Sequence, residues 1–439
     1  MRTASAANSA LGPRLWLVIV LLGLSGQIAW NVENTWFNAF VFDEITPESR
    51  PIAAMTAISA TVATIATGLA GSVSDRLGRR KPFILCGYLL WAISTVVFPM
   101  SAWPSQVGIA IFLVIVADAV MTLFGATAND AAFNAWVTDV TSASNRGLVE
   151  GVLNTMPVIA TMIGMGVSGL VIDRFGYDLF FAALGGLVLT MGLVGSLLLR
   201  ESPTLRPAPT DGVFAQLRRV LAPRAIRSHA RLFLVFTTLA IFSIGLQISY
   251  PYEVIYLNHT VGLSKGTVGV ITALVAPVLL LFALPIGRLT DRGHGFAVAL
   301  VGYPVAALGF VAFSLTSHVV WLGVFAVLKS IGFLMNIVFL TWHRNLLPPE
   351  SRGAYQGVRL IFMVLAPMAI GSAIGSLLIQ TLGTPATIDG VAGLLPPPHI
   401  YWASAAVVAA SLIPVAILRF MPESAGADPD ARGERLTQA

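Results

Sequence analysis

Charged residues lie inside long apolar runs of this 439-residue chain, among them Glu33, Asp118, Asp130, Glu253 and Lys329. A charge held in hydrocarbon costs several kcal/mol, about 2.5 to 3.5 on insertion scales, so such residues face a cavity or a partner. A carboxyl group removed from water among aromatic side chains is suited to exchanging a proton near neutrality. Asp118 is about 12 residues into its run, roughly 18 Å deep at the helical rise, and is the acid nearest mid-membrane. Glu33 is about 18 residues in, some 27 Å along, nearer the far end. Asp118 is therefore the first candidate for proton coupling, with Glu33, Asp130 and Glu253 behind it. Lys329 lies too far from either end of its run to snorkel out. A pair with Asp118 or Asp130 would neutralise both partners.

Amides supply a second kind of chemistry. Gln27, Asn31, Asn34 and Asn38 are spaced 4, 3 and 4 residues apart, which puts them on one helical stripe. Amides both donate and accept, so a stripe of them suits a neutral polyhydroxylated ligand. The competing use is hydrogen bonding between neighbouring helices. Thr122, Gly125 and Asn129 share the face of Asp118. The candidate solute ligands are Gln27, Asn31, Asn34, Asn129, Gln247, Tyr250, Lys329 and Asn336. Pro251 is expected to break its helix beside Glu253.

The elements that must hold these groups follow from composition. The chain is 56% hydrophobic and 11% charged, with a mean hydropathy of +0.81. Soluble proteins are about 25% charged, so the class is integral membrane. A span needs about 20 mostly apolar residues. Twelve are expected, at 15–42, 51–73, 82–101, 106–137, 147–172, 178–199, 231–257, 264–287, 296–316, 319–343, 353–381 and 399–420. No cleavable signal stands before the first. The fold class is an all-α membrane protein: a six-helix bundle over 1–200, a linker over 201–230, a second bundle over 231–421 and a tail over 422–439. In the linker, Val213, Phe214, Leu217, Val220 and Leu221 recur at helical spacing beside Arg218, Arg219 and Arg224, which predicts a short amphipathic helix on the membrane surface.

Placing both termini inside puts 21 Lys and Arg on the inner side and three on the outer, Arg50, Arg174 and Lys265. The positive-inside rule then sets both termini in the cytoplasm, and the net charge of +5 reads as topology rather than nucleic-acid binding. One cysteine, Cys86, and six scattered histidines offer no metal cluster. No phosphate-binding loop or nucleophile motif is present, so neither a cofactor nor an enzymatic activity is expected.

The chain also repeats itself. Gly71-Ser72-Val73-Ser74-Asp75-Arg76-Leu77-Gly78-Arg79-Arg80 is echoed by Gly287-Arg288-Leu289-Thr290-Asp291-Arg292-Gly293 about 216 residues later. Gln27 to Glu33 is echoed by Gln247 to Glu253, and Arg146 to Gly151 by Arg352 to Gly357. Such duplication is the architecture of many secondary transporters. These loops resemble the signature of the major facilitator superfamily, between spans two and three and between spans eight and nine. The resemblance implies alternating access by two six-helix bundles around a central cavity. It gives Gly71, Asp75, Arg76, Gly78, Arg79, Arg80, Asp291 and Arg292 a role in conformational switching. Ser74 to Leu85 and the stretch from Asn129 to Gly151 are similar to sucrose–proton and other glycoside–cation symporters. Span two holds no acidic residue, so a sodium site of the melibiose-carrier form is not expected. The resemblance and the amides together point to proton-coupled symport of a sugar or glycoside, with export of a drug-like amphiphile as the alternative. The expected partners are a small solute, protons and the lipid bilayer, and the expected form is a monomer in the plasma membrane. A reporter that is active only outside the cytoplasm, fused after Arg200, should stay inactive, because the linker is expected inside; activity there would reverse the topology.

Overall fold

The computed structural model describes residues 12–142, 144–203, 205–207, 213–346 and 352–421. The first four spanning helices are α1 (Pro13–Ile45), α2 (Ser49–Leu77), α3 (Lys81–Ala102) and α4 (Val107–Val140). The next helical stretch, Arg146–Leu198, runs for 53 residues. A straight helix of that length would be roughly 80 Å long, against a hydrocarbon core of about 30 Å. It is broken at Gly176, whose φ of 77° and ψ of 178° suit a glycine almost alone. The break yields α5 (146–175) and α6 (177–198). The 50-residue stretch Lys265–Ser314 is broken in the same way at Gly293, φ 84°, into α10 (265–292) and α11 (294–314). With α9 (Ala230–Thr260), α12 (Val319–Leu346), α13 (352–382) and α14 (His399–Phe420), twelve membrane-length helices stand among the described residues.

The helices alternate in direction. One end of the molecule carries the turns after Leu77 and Leu289 and is called the signature end; the opposite end carries a β-hairpin. Within the first six helices α1 and α3 pack on the α5–α6 pair, and within the second six α9 packs on α13 and α14 and α11 on α12. The two halves meet where α5 packs on α10 and α2 on α13. The outer faces are aliphatic and bare, as at Leu281, Leu308 and Phe420, which suits a surface solvated by lipid chains.

Two features differ from expectation. The linker helix α7 (Val213–Val220) forms, followed by α8 (Pro223–Ser228). Its apolar face does not simply lie on lipid: Leu217, Val220 and Leu221 pack against Phe233, Phe236, Tyr355 and Val358 at the signature end of the second half. The side chains of Val213 and Phe214 and the tail 422–439 lie outside the described residues. The β-hairpin, β1 (Thr384–Ile388) and β2 (Val391–Leu395), was not foreseen; it turns through Asp389 and Gly390 at φ 48° and 82°. Two successive residues at positive φ match the twist of a tight hairpin, and Asp-Gly is a preferred pair for it. The hairpin reaches the other half, where the Leu394 N–H donates to the Pro47 carbonyl at 3.3 Å.

A Cβ at Gly176 would meet no atom, so Gly176→Ala isolates the backbone strain. It should destabilise the protein by about 1 to 3 kcal/mol. Gly186 has equal space and ordinary helical backbone, so Gly186→Ala should be neutral or slightly stabilising. Thermal denaturation in detergent checks the pair; equal melting temperatures would show that the break does not depend on glycine.

Candidate functional site

Glu33 lies about 12 residues before the end of α1 and Asp118 about 11 after the start of α4, so the antiparallel helices bring both carboxylates to one depth, about 17 Å below the hairpin end. Both line a small cavity between the halves with an accessible interior of about 20 Å³, room for about one water molecule. Its other polar walls are Asn34 and Asn38 from α1, Thr56 and Ser59 from α2, and Gln247 from α9. Met55, Pro251 and Met368 supply the apolar part. A larger groove between α10 and α12 is almost wholly aliphatic, with no convergent polar groups.

Local helix geometry presents these groups. α1 widens to a π-helix over Glu33–Phe37 and again over Val41–Ile45, and α4 over Ala126–Phe133. A π-turn inserts a residue, frees backbone carbonyls and turns the following side chains to a new face. Asn34 Nδ2 donates to the Trp30 carbonyl at 2.7 Å, and Asn38 Nδ2 to the Asn34 carbonyl at 3.1 Å. α9 is interrupted as its proline predicts, by a 3-10 turn over Tyr250–Tyr252. Glu33 Oε1 accepts from the Thr122 hydroxyl at 2.9 Å. Asp118 Oδ2 accepts from the Ser59 hydroxyl. Glu33 Oε2, Asp118 Oδ1 and Gln247 Oε1 are buried without a hydrogen-bond partner.

The other candidates are dispersed. Asn31 leaves the stripe, donating to Thr161 Oγ1 on α5 at 3.0 Å, and so joins two helices. Gln27 is half-buried outside the cavity lining. Asn129 is bound by the Tyr88 hydroxyl at 3.1 Å and donates to Asp130 at 2.9 Å. Asp130 Oδ1 also accepts from Trp30 Nε1 at 3.2 Å, so that oxygen is held within the first half. Tyr250 is half-buried at the bend of α9. The expected bridge from Lys329 to Asp118 or Asp130 does not form. Lys329 instead pairs with Glu253 inside the second half, its ammonium 4.5 Å from the Phe313 ring centroid and 5.8 Å from that of Phe310. The turn at Tyr250–Tyr252 swings Glu253 toward α12, which satisfies both charges locally. The side chain of Asn336 lies outside the described residues.

At the signature end Arg80 is the centre of a network, bound to Asp75 at 2.5 Å, to Asp139 at 3.0 Å and to Ser74 Oγ at 2.6 Å. Burial works against its charge, yet Asp139 and Asp75 hold the guanidinium pKa above its ordinary value. The Arg80 and Lys81 backbone N–H groups, at the start of α3, both donate to Glu201 Oε1. Gly78 ends α2 at φ 60°. Gly71 lies within α2, and Arg76 and Arg79 flank the network. The repeat copy differs: Asp291 and Arg292 are exposed in the turn beside Gly293 and form no ion pair among the described residues.

Sequence reasoning missed an interlock at the hairpin end. Asp43 of α1 accepts from the Tyr177 hydroxyl at 2.7 Å, contacts His259 Nε2 at 2.7 Å and pairs with Lys265 Nζ at 3.0 Å. Asp173 accepts the backbone N–H groups of Lys265 and Gly266, capping α10 from the opposite half. Ser49 meets Ser376 at 2.9 Å, and Arg50 Nε donates to Gln380 at 2.8 Å. The Asp43 cluster draws on three stretches far apart in sequence, at Asp43, at Tyr177 and at His259 with Lys265, and each sits where a span meets a loop, so nothing in the sequence joins them. Asp43→Asn removes the charge that holds His259 and Lys265. Spin labels at Glu48 and Val391, one in each half, should then show about a tenfold larger separated population, the equivalent of one charged hydrogen bond. An unchanged distance distribution would show that the cluster does not hold the halves together.

The sequence matches the profile of the Major Facilitator Superfamily over residues 15–254 and 235–438. No curated protein matches the chain. Among solved structures, it is similar to the nucleoside transporter NupG at 14% identity and a TM-score of 0.71, covering 94% of this chain and all of that one. It is similar to the inward-open xylose transporter XylE from E. coli at 16% identity and a TM-score of 0.68, covering 96% and 99%. It is also similar to a D-xylose–proton symporter at 15% identity and a TM-score of 0.69, covering 94% and 98%. At these identities the likeness is one of fold. Two profile matches spanning nearly the whole sequence, on a fold of twelve membrane-length helices in repeated halves, settle the identity: the chain is a multi-pass membrane transporter of the major facilitator superfamily.

Proposed function

We propose that the protein carries a hydrophilic, polyhydroxylated solute, a sugar or glycoside, together with a proton, by alternating access between two six-helix halves. The observation that carries this reading is the cavity between the halves, where two buried carboxylates stand beside amide and hydroxyl groups. Seven of the ten lining residues are polar, which favours a hydrophilic solute over the amphiphile of the exporter reading. Asp118 and Glu33 are the coupling groups. Asn34, Asn38 and Gln247 present oxygens to the solute. Asp130, Glu253 and Lys329 serve structure around the cavity, since each is bound to a neighbour, and Asn31 ties α1 to α5 through Thr161 outside the lining. The signature network around Arg80 holds the ends of α2 and α4 against α3 and moves with them as a unit. The protein works as a monomer in the plasma membrane with the signature end and both termini in the cytoplasm.

The cycle follows from charge. A carboxylate facing the cavity takes a proton, the neutralised cavity accepts solute, the loaded carrier turns, and proton and solute leave on the other side. Proteins named as nucleoside and xylose transporters share the fold, which is compatible with a polar, hydroxylated solute. Neutralising a coupling carboxylate removes the distinction between its loaded and empty forms. Asp118→Asn should therefore abolish accumulation driven by a pH gradient, while exchange at equal pH continues. Uptake into proteoliposomes with and without an imposed gradient checks this. Accumulation in the variant that still scales with the pH difference would move the coupling site to Glu33.

A further inference from the structure

A cycle of one proton and one neutral solute leaves one of the two cavity carboxylates without a counter-charge. Glu33 and Asp118 are 7% and 2% exposed. Each has one oxygen on a hydroxyl, Thr122 or Ser59, and one oxygen with no partner. Among the described residues neither forms an ion pair. Two basic groups of the second half are committed elsewhere, Lys329 to Glu253 and Lys265 to Asp43. A buried carboxylate is tolerated when it is paired or protonated. Two carboxylates in one site share a first proton readily and hold a second poorly. The cavity therefore has room for one more positive charge than a single coupling proton supplies.

The hydrogen-bonding inventory points the same way. Asn34 and Asn38 each give one N–H to a backbone carbonyl of α1, and their side-chain oxygens accept no hydrogen bond from the described residues. Gln247 adds an unpartnered oxygen, and Ser59 and Thr122 have given their hydroxyl protons to the carboxylates. The buried lining atoms left without a partner, Glu33 Oε2, Asp118 Oδ1 and Gln247 Oε1, are all acceptors. A neutral sugar hydroxyl both donates and accepts, whereas an ammonium brings three donors, no acceptor and a charge.

We infer that the transported solute is an organic cation, a polyhydroxylated compound bearing a protonated amine, whose ammonium donates to Glu33 Oε2 and Asp118 Oδ1 while its hydroxyls donate to the oxygens of Asn34, Asn38 and Gln247. This rests on the reading of the cavity as the seat of a polyhydroxylated solute and specifies that solute's charge. An inorganic cation would satisfy the carboxylates but leave the amide oxygens empty.

The test is equilibrium binding to the purified full-length protein in lipid nanodiscs, with glucosamine, glucose, N-acetylglucosamine, sodium chloride and tetraphenylphosphonium as probes. Glucosamine should bind at least about tenfold more tightly than glucose or N-acetylglucosamine, since acetylation removes a charged hydrogen bond. Glu33→Gln and Asp118→Asn should each weaken glucosamine by a similar factor without lowering the melting temperature. Ser59→Ala, which leaves both charges, should keep the preference for the amine and serves if the charge variants fail to fold. Equal affinity for glucose and glucosamine overturns the inference and leaves the sugar–proton reading intact. Binding of tetraphenylphosphonium alone overturns both. Stabilisation by sodium without any effect of the amine, or no binding of glucosamine at millimolar concentration, also overturns the inference.

Discussion

Inside a bilayer no polar group can borrow a hydrogen bond from water, and every part of this structure answers to that constraint. It forces the backbone into helices, and it decides where those helices depart from regular form. The departures in α1 and α9 fall at the polar cavity, where a π-turn begins at Glu33 and a 3-10 turn holds Pro251, while the π-turn of α4 spans Asn129 and Asp130 beside it. Carbonyls freed by the irregular turns are met by side-chain amides of the same helix, as at Trp30 and Asn34. The irregular backbone thus fixes which atoms of each amide are left for a ligand. Hydroxyls treat the carboxylates in the same way, satisfying one oxygen and leaving the other open.

The repeat has been spent differently in its two halves. Glu33 and Glu253 are equivalent by sequence, yet one lines the cavity without a cation and the other is neutralised by Lys329 within an aromatic box. The signature loops diverge as well. Arg80 joins the ends of α2, α3 and α4, while Asp291 and Arg292 stand exposed at the Gly293 break. A buried ion pair is costly to break, so the second half is rigid around Glu253. The first half keeps its carboxylates available. Chemistry is therefore concentrated in the first half and stiffness in the second.

Much of the fold was legible in the sequence, because membrane length and apolar composition are properties of single segments. All twelve spans, the bend at Pro251 and the linker helix are of that kind. The site was legible only in part. Asp118 and Glu33 were visible as charges in apolar runs, but their shared depth depends on the antiparallel pairing of α1 and α4. The amide stripe assumed one helical period, and the π-turn at Glu33 splits it, sending Asn31 to Thr161 and Asn34 and Asn38 to the cavity. Lys329 was visible as a charge needing a partner, but the choice of Glu253 over Asp118 is made by packing. The hairpin had a local signal, Asp389-Gly390 between short apolar stretches, that a search for spans passes over. The Asp43 interlock had none, since Asp43 and Tyr177 meet His259 and Lys265 only when the halves come together.

The position of that interlock bears on how the carrier turns. A transporter that cycles needs its two closed forms close in free energy, since an equilibrium shifts only by the difference in contacts between states. The hairpin end is held by the Asp43 cluster, by Asp173 on the α10 terminus, by the Ser49 and Arg50 contacts and by the hairpin on Pro47. Hydrogen bonds to charged groups contribute about 1.5 to 3 kcal/mol each, so opening this end costs more than thermal fluctuation supplies. Contacts formed at the signature end in the opposite state must offset that cost. Glu33 and Asp43 lie on the same helix, about ten residues and 15 Å apart at the helical rise. A change of charge at the cavity and the release of the interlock therefore act on one helix, and α1 is the element through which occupancy of the site reaches the closed end.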